Sequence, residues 1–161
     1  MSATISSIHY CPVKSISFQN IDQCKIDRNI GIVGDRLFAF SQNLDLEQSK
    51  IFENNPEERK GKWNKILTLK NTPVLNKYNF LYKENKLTLT LNKKQIITIN
   101  ADDEDKRNDL AKKLIELENS LKQDIKLIKN EEYPFYDTSI SNKSEFKNSI
   151  SLLNINSIKD F

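Results

Sequence analysis

Residues 78–99 read Tyr-Asn-Phe-Leu-Tyr-Lys-Glu-Asn-Lys-Leu-Thr-Leu-Thr-Leu-Asn-Lys-Lys-Gln-Ile-Ile-Thr-Ile. Tyr78, Phe80 and Tyr82 recur at every second position, and Glu84-Asn85 then supplies a turn. Leu87, Leu89 and Leu91 alternate with Thr88 and Thr90. Asn92-Lys93-Lys94 turns the chain again, and Ile97 and Ile99 continue the period. Successive side chains of a strand point to opposite sides, so this pattern predicts a three-stranded antiparallel meander with one buried face.

Downstream, the period changes. Asp102-Asp103-Glu104-Asp105 opens a helix, since acidic side chains favour the positive end of the helix dipole. Leu110, Leu114, Leu117 and Leu121 then form one apolar stripe, with Lys112 and Glu116 on the outer surface. Ile125, Leu127 and Ile128 predict a short strand. Residues 131–148 are polar, contain Pro134 and read as a linker. Ser149 to Leu153 reads as a further strand, and Asn154 to Phe161 as the beginning of a helix.

Upstream of the meander, Ile5, Ile8 and Tyr10 predict a strand ended by Pro12. A second strand is expected from Ile16 to Ile26, where a change of parity between Phe18 and Ile21 signals a bulge or bend. Gly31-Ile32-Val33-Gly34 reads as a turn, followed by a strand from Arg36 to Ser41. Residues 43–62 are polar and read as an exposed insertion with one helical turn. Ile66 to Lys70 reads as a strand closed by Asn71-Thr72-Pro73.

The 161 residues suffice for one domain with a proper core. Apolar residues make up 37% and charged residues 29%, but the charges are interleaved with Ile, Leu, Phe and Tyr, which favours a folded, polar-surfaced domain over a disordered one. The 25 basic and 22 acidic residues leave a net charge of only +3, too dispersed for nucleic-acid binding. An anionic partner must therefore be gripped locally. The N-terminus lacks the charged and apolar regions of a signal peptide, and no apolar run approaches a membrane span. With Cys11 and Cys24 read as free thiols, a soluble cytoplasmic protein is expected.

Few residues invite chemistry. His9 is the only histidine and pairs at most with Cys11 on one strand face, which is too few ligands for a metal. A half-buried strand histidine is the plainer reading. The acidic run 102–105 is better explained as a helix start than as a cation site, and the aromatic alternation at 78–82 as core packing than as a base-stacking platform. More informative are Lys14 and Ser15, in the turn after Pro12, and Arg36, presented by the turn at Gly34 with Asp35 beside it to orient it. Thr68 and Lys70, on one face of a further strand, add a hydroxyl and a cation. Cations and hydroxyls converging at a sheet rim suit a phosphorylated ligand. Ordinary surface charges near turns account for the same residues.

Taken in order, Tyr10-Cys11-Pro12-Val13-Lys14-Ser15, Gly31-Ile32-Val33-Gly34-Asp35-Arg36 and Ile66-Leu67-Thr68-Leu69-Lys70 resemble the motifs of the N-terminal β-barrel domain of MOSC proteins, named for the C-terminal domain of molybdenum cofactor sulfurase. Ser149 to Asn154 is similar to the first strand of the MOSC domain proper. The resemblance implies an α+β, mainly β fold: an antiparallel barrel-like sheet with one amphipathic helix over residues 1–130, and the start of a truncated MOSC domain at 149–161. It implies molybdenum cofactor (molybdopterin) as ligand, with Lys14, Ser15 and Arg36 at its phosphate, Thr68 and Lys70 nearby, and an electron-donor protein as partner. Sulfur transfer or reduction of N-oxide and N-hydroxy compounds would be the reaction. Lys70 stands where the family has Arg, and neither Cys matches the family's reactive cysteine, so this chain alone is expected to be inactive. Two alternatives remain beside it: a non-catalytic binding module, and a site for pyridoxal phosphate or another phosphate ligand.

Overall fold

The computed structural model describes residues 4–28, 30–121 and 124–136. Its elements are β1 (Ile8–Tyr10), β2 (Gln19–Ile21), β3 (Ile26–Asp27), β4 (Gly31–Ile32), β5 (Phe38–Ser41), α1 (Leu46–Asn54), β6 (Tyr78–Lys83), β7 (Lys86–Leu91), β8 (Lys94–Asn100), α2 (Glu104–Leu117) and β9 (Lys126–Lys129). Short 3-10 turns lie at Pro56–Arg59, Trp63–Lys65 and Pro73–Lys77. The fold class is α+β with antiparallel sheets. The sheets pair as β1-β2, β3-β4, β5-β9 and β6-β7-β8, and they do not close into a barrel.

The meander forms as its alternation requires. Leu87 and Leu89 face the core and pair with Tyr82 and Phe80 on one side and Ile99 and Ile97 on the other. Glu84, Asn85, Asn92 and Lys93 all take positive φ, as the two-residue primed turns that match the twist of a hairpin demand. The outer edge of β6 is covered by side chains. Phe80 N donates to Ser17 Oγ at 2.9 Å, and the Gln19 amide meets both the N–H and the C=O of Tyr82 at 2.9 and 3.2 Å. A glutamine thus stands in for a neighbouring strand and blunts the edge.

Helix α2 begins at Asp103, whose side chain accepts from Lys106 N, so the acidic run is a helix start. Leu110, Ala111, Leu114 and Ile115 pack on the meander and on Phe38, Phe40 and Val13. The helix stops at Leu117, yet Leu121 still reaches the same core. A second, smaller cluster holds Ala39, Leu44, Phe52, Ile66, Ile128 and Phe135, with Trp63 at its side. Strand alternation explains the division: β5 sends Phe38 and Phe40 to one cluster and Ala39 to the other, and β9 splits Leu127 from Ile128 likewise.

Several expectations need correction. The stretch 43–62 is a structural part and not an exposed insertion: α1 carries a full capping box between Asp45 and Gln48, and it buries Phe52. A second helix therefore joins the one expected. The strand expected over 16–26 breaks into β2 and β3. Gly31 and Ile32 belong to β4, so the turn there comes later, at 33–36. Ile66 to Lys70 is not a strand. Ile66 makes one bridge to Ser41, after which Thr68 accepts from Thr72 N and the chain turns. Residues 131–136, the first of the expected linker, pack against the body, with Phe135 fully buried. The rest of that linker, and the strand and helix expected at 149–161, lie outside the described residues.

Arg59 holds α1 and the 131–136 segment together. Only 2% exposed, it donates to the carbonyls of Phe52 (2.6 Å) and Glu53 (2.8 Å) at the end of α1, and to those of Tyr133 (2.6 Å) and Pro134 (3.3 Å). Its guanidinium lies 4.0 Å from the Phe135 ring. Burial pulls its pKa down to about 10, opposed by Glu53, so it stays charged at neutral pH. Arg59→Met should destabilise the fold by about 2–4 kcal/mol, because four buried or part-buried carbonyls lose a charged donor. Lys62→Ala, removing an exposed pair with Glu58, should cost less than about 0.5 kcal/mol. Urea unfolding of the two variants checks both values.

Candidate functional site

The segments Cys11–Ser15 and Gly34–Arg36 are separated by eighteen residues in sequence and interlocked in space. Arg36 N donates to Cys11 O at 2.6 Å, and Cys11 N donates to the Asp35 carboxylate at 2.9 Å. Phe38 N then donates to Pro12 O at 3.0 Å, and Lys14 N to Phe38 O at 2.8 Å. The first segment therefore runs along one edge of β5, with a parallel bridge between Val13 and Phe38.

Gly34 makes the second turn possible. Its φ is +92°, and a Cβ there would stand 3.2 Å from Cε2 of Tyr10. Both the backbone conformation and the close ring therefore favour glycine. Two neighbours reach positive φ without that licence, Ser15 at 59° and Arg36 at 50°. Left-handed backbone costs an L-residue roughly 1–2 kcal/mol, and the interlocking hydrogen bonds hold it in place.

Arg36 lies in the turn and not, as expected, at the start of the strand. Its guanidinium is about one-third exposed, with Nη1 3.3 Å from Asp35 Oδ2. The same carboxylate takes the Cys11 N–H, so Asp35 orients the arginine as the sequence suggested. The Arg36 guanidinium also faces the ring of Tyr136, 5.0 Å from its centroid. Lys14 is buried, with Nζ 5.6 Å from the Trp63 ring centroid, and Ser15 beside it is half-buried.

Thr68 and Lys70 do not share a strand face. Thr68 N donates to the Asn71 side chain at 2.8 Å, and Lys70 is an exposed residue of the turn that follows. The bridge at Ile66 still leaves this turn on the edge of β5 used by Lys14. Cys11 is buried, its Sγ donating to Val13 O at 2.8 Å, and burial raises its pKa. A buried, protonated thiol is a packing residue and a poor nucleophile. His9 is exposed and bonded to Ser7, so it shares no face with Cys11.

Tyr136 gave no signal in the sequence, since it sits in a polar stretch a hundred residues after Arg36. Its hydroxyl donates to Ile30 O, and Phe135 N donates to Arg36 O at 2.8 Å. Among the described residues, no group of three or more His, Cys, Asp or Glu comes together as a metal site, and no helix is long and apolar enough to cross a membrane. A surface hollow of about 220 Å³ is lined by Leu44, Ile51, Phe52 and Lys62, and neither Lys14 nor Arg36 is in its lining. No protein-family model, curated protein or solved structure matches the chain, so the MOSC resemblance stands on its motif residues alone.

Two tyrosines at this site predict an alkaline limit. Burial pushes Tyr10 up to about 12, helped by Tyr82 and Asp35. Burial and Asp35 do the same to Tyr136. A raised folded pKa contributes stability that is complete below the unfolded value near 10 and is lost as pH climbs through about 12. For Tyr10, 7% exposed, the rise amounts to roughly 3 kcal/mol. Arg59, lowered to about 10, works in the opposite sense over the same window and offsets one tyrosine. Stability should therefore fall between about pH 10 and 12. Tyr10→Phe/Tyr136→Phe should flatten that fall, as read by unfolding with urea at each pH.

Proposed function

We propose that this chain grips a phosphorylated cofactor of the molybdopterin kind through Arg36, with Lys14 and Ser15 beside it. It would thereby supply the phosphate-holding half of a site for sulfur transfer or for reduction of N-oxide and N-hydroxy compounds. The observation that supports the reading is the interlock of the two motif turns, whose backbones bond to each other at Cys11–Arg36 and Pro12–Phe38.

These residues fit an anionic group. A guanidinium has five N–H donors in a planar fork, more than the one contact to Asp35 employs. Its partial exposure leaves an approach for a phosphate, which a planar fork can take bidentately. Ser15 offers a hydroxyl in a left-handed turn, and Lys14 adds positive charge behind it. Thr68 and Lys70 have no part in this version, since their turn does not align them. The molybdenum of such a cofactor supplies the redox or sulfur-transfer chemistry. The residues of this chain bind and orient the phosphate.

Inorganic pyrophosphate titrated into the 161-residue chain by calorimetry tests the grip, with molybdopterin as second ligand. Arg36→Ala should weaken both at least about tenfold, the loss expected for a charge-assisted hydrogen bond. Arg36→Lys should recover only part of it, because an ammonium cannot replace the fork. Unchanged affinity in Arg36→Ala would favour the non-catalytic binding module. Pyridoxal phosphate outcompeting molybdopterin would point to the other phosphate ligand.

A further inference from the structure

The geometry points to Tyr136 as a positioning residue for Arg36: its ring lies under the guanidinium carbon while Asp35 meets one nitrogen, so that the remaining N–H groups are presented to an anion. The inference rests on the proposed phosphate site and names a residue that the motifs do not contain.

An arginine side chain is long and loses roughly 2 kcal/mol of rotamer freedom when fixed. A site that has already fixed it spares the ligand that cost. Arg36 is fixed in three independent ways. Its backbone is locked on both sides, by Cys11 O through its N–H and by Phe135 N through its C=O. Its Nη1 meets Asp35 at 3.3 Å, and its guanidinium carbon lies over the Tyr136 ring, 5.0 Å from the centroid. A carboxylate at one nitrogen and an aromatic ring under the central carbon together restrict the group more than either does alone.

Tyr136 is itself held. Its hydroxyl donates to Ile30 O, beside the turn that carries Arg36. The preceding residues are clamped by Arg59 through the Tyr133 and Pro134 carbonyls and the Phe135 ring. The ring is therefore supported from both ends. Electrostatic attraction between ring and guanidinium is worth about 0.5–1 kcal/mol at an exposed site, which sets the scale of its effect on binding.

The test compares Tyr136→Phe with Tyr136→Leu in the 161-residue chain, using inorganic pyrophosphate as probe. Phe keeps the π face and loses the hydroxyl. Leu fills much of the space and loses the face. Affinity should stay within about twofold in the Phe variant and fall about fivefold in the Leu variant. The Arg36 Nε–H resonance should keep its ring-current shift in Phe and lose it in Leu, a signature that packing alone does not move. A rise in affinity in the Leu variant would mean that Tyr136 covers the site, and would overturn the inference. Equal affinity in all three chains, with Arg36→Ala still weak, would overturn it and leave the phosphate site standing. Should Arg36→Ala also bind normally, the phosphate site fails, and this inference with it.

Discussion

Strand β5 is hydrogen-bonded along both edges and buried on both faces, and the other elements are arranged to make this possible. Its residues Phe38, Ala39, Phe40 and Ser41 have no exposed surface. Their backbone groups cannot turn to water, and each one left unpaired would cost about 1–3 kcal/mol. One edge is met by β9 in register from Phe38–Lys129 to Ser41–Lys126. The other is shared by Pro12 and Lys14 at Phe38, and by Lys65 and Leu67 at Gln42 and Phe40. The segment carrying Lys14 and Ser15 is therefore placed by the same bonds that complete the core. Candidate site and fold have one cause here.

The second constraint is electrostatic. Helix α1 ends with no basic residue in its last turn, although the last carbonyls of a helix lack a full set of helical partners and carry the negative end of its dipole. Arg59 reaches back from the following 3-10 turn to supply the missing donors. Glu53, on the same helix, accepts from Lys129 N at 2.7 Å and from Arg107 at 3.0 Å. Arg107 in turn donates to the carbonyls of Ala101, Asp102 and Leu127. One acid between two buried arginines thus ties α1 to β9 and α2. These contacts are costly to desolvate and carry their weight mainly as specificity: each charge has a single set of partners that satisfies it.

What was legible in the sequence is what depends on neighbours along the chain. The meander announced itself because apolar residues from Tyr78 to Ile99 alternate on either side of two turns, and α2 because its leucines keep one stripe. Helix α1 was equally local, and Asp45 followed by Gln48 at the capping-box spacing could have revealed it. Its polar composition hid it, since only Phe52 and Ser49 face inward. Ile66 to Lys70 misled for the opposite reason. The apolar alternation there is genuine, but Thr68 and Asn71 bond each other and bend the chain after a single bridge. Of the candidate site, the contact of Asp35 with Arg36 could be read. Tyr136 could not, because its place depends on Arg59, Phe135 and Ile30, none of which lies near Arg36 in a readable pattern.

Left-handed backbone at Ser15 and Arg36 is the remaining clue to why the two turns are built as they are. A residue in β5 would have its side-chain direction dictated by the pleat, toward one of the two apolar clusters. Stepping out of the strand into positive φ two residues earlier frees Arg36 from that alternation, which would otherwise aim it as β5 aims its own side chains. Gly34 absorbs the close approach of Tyr10, and the Asp35 carboxylate ties the turn to Cys11 N. Strain of this kind persists only where surrounding bonds over-determine it, and it gathers where a side chain must be aimed. Here that side chain is a guanidinium paired with a carboxylate and seated over an aromatic ring.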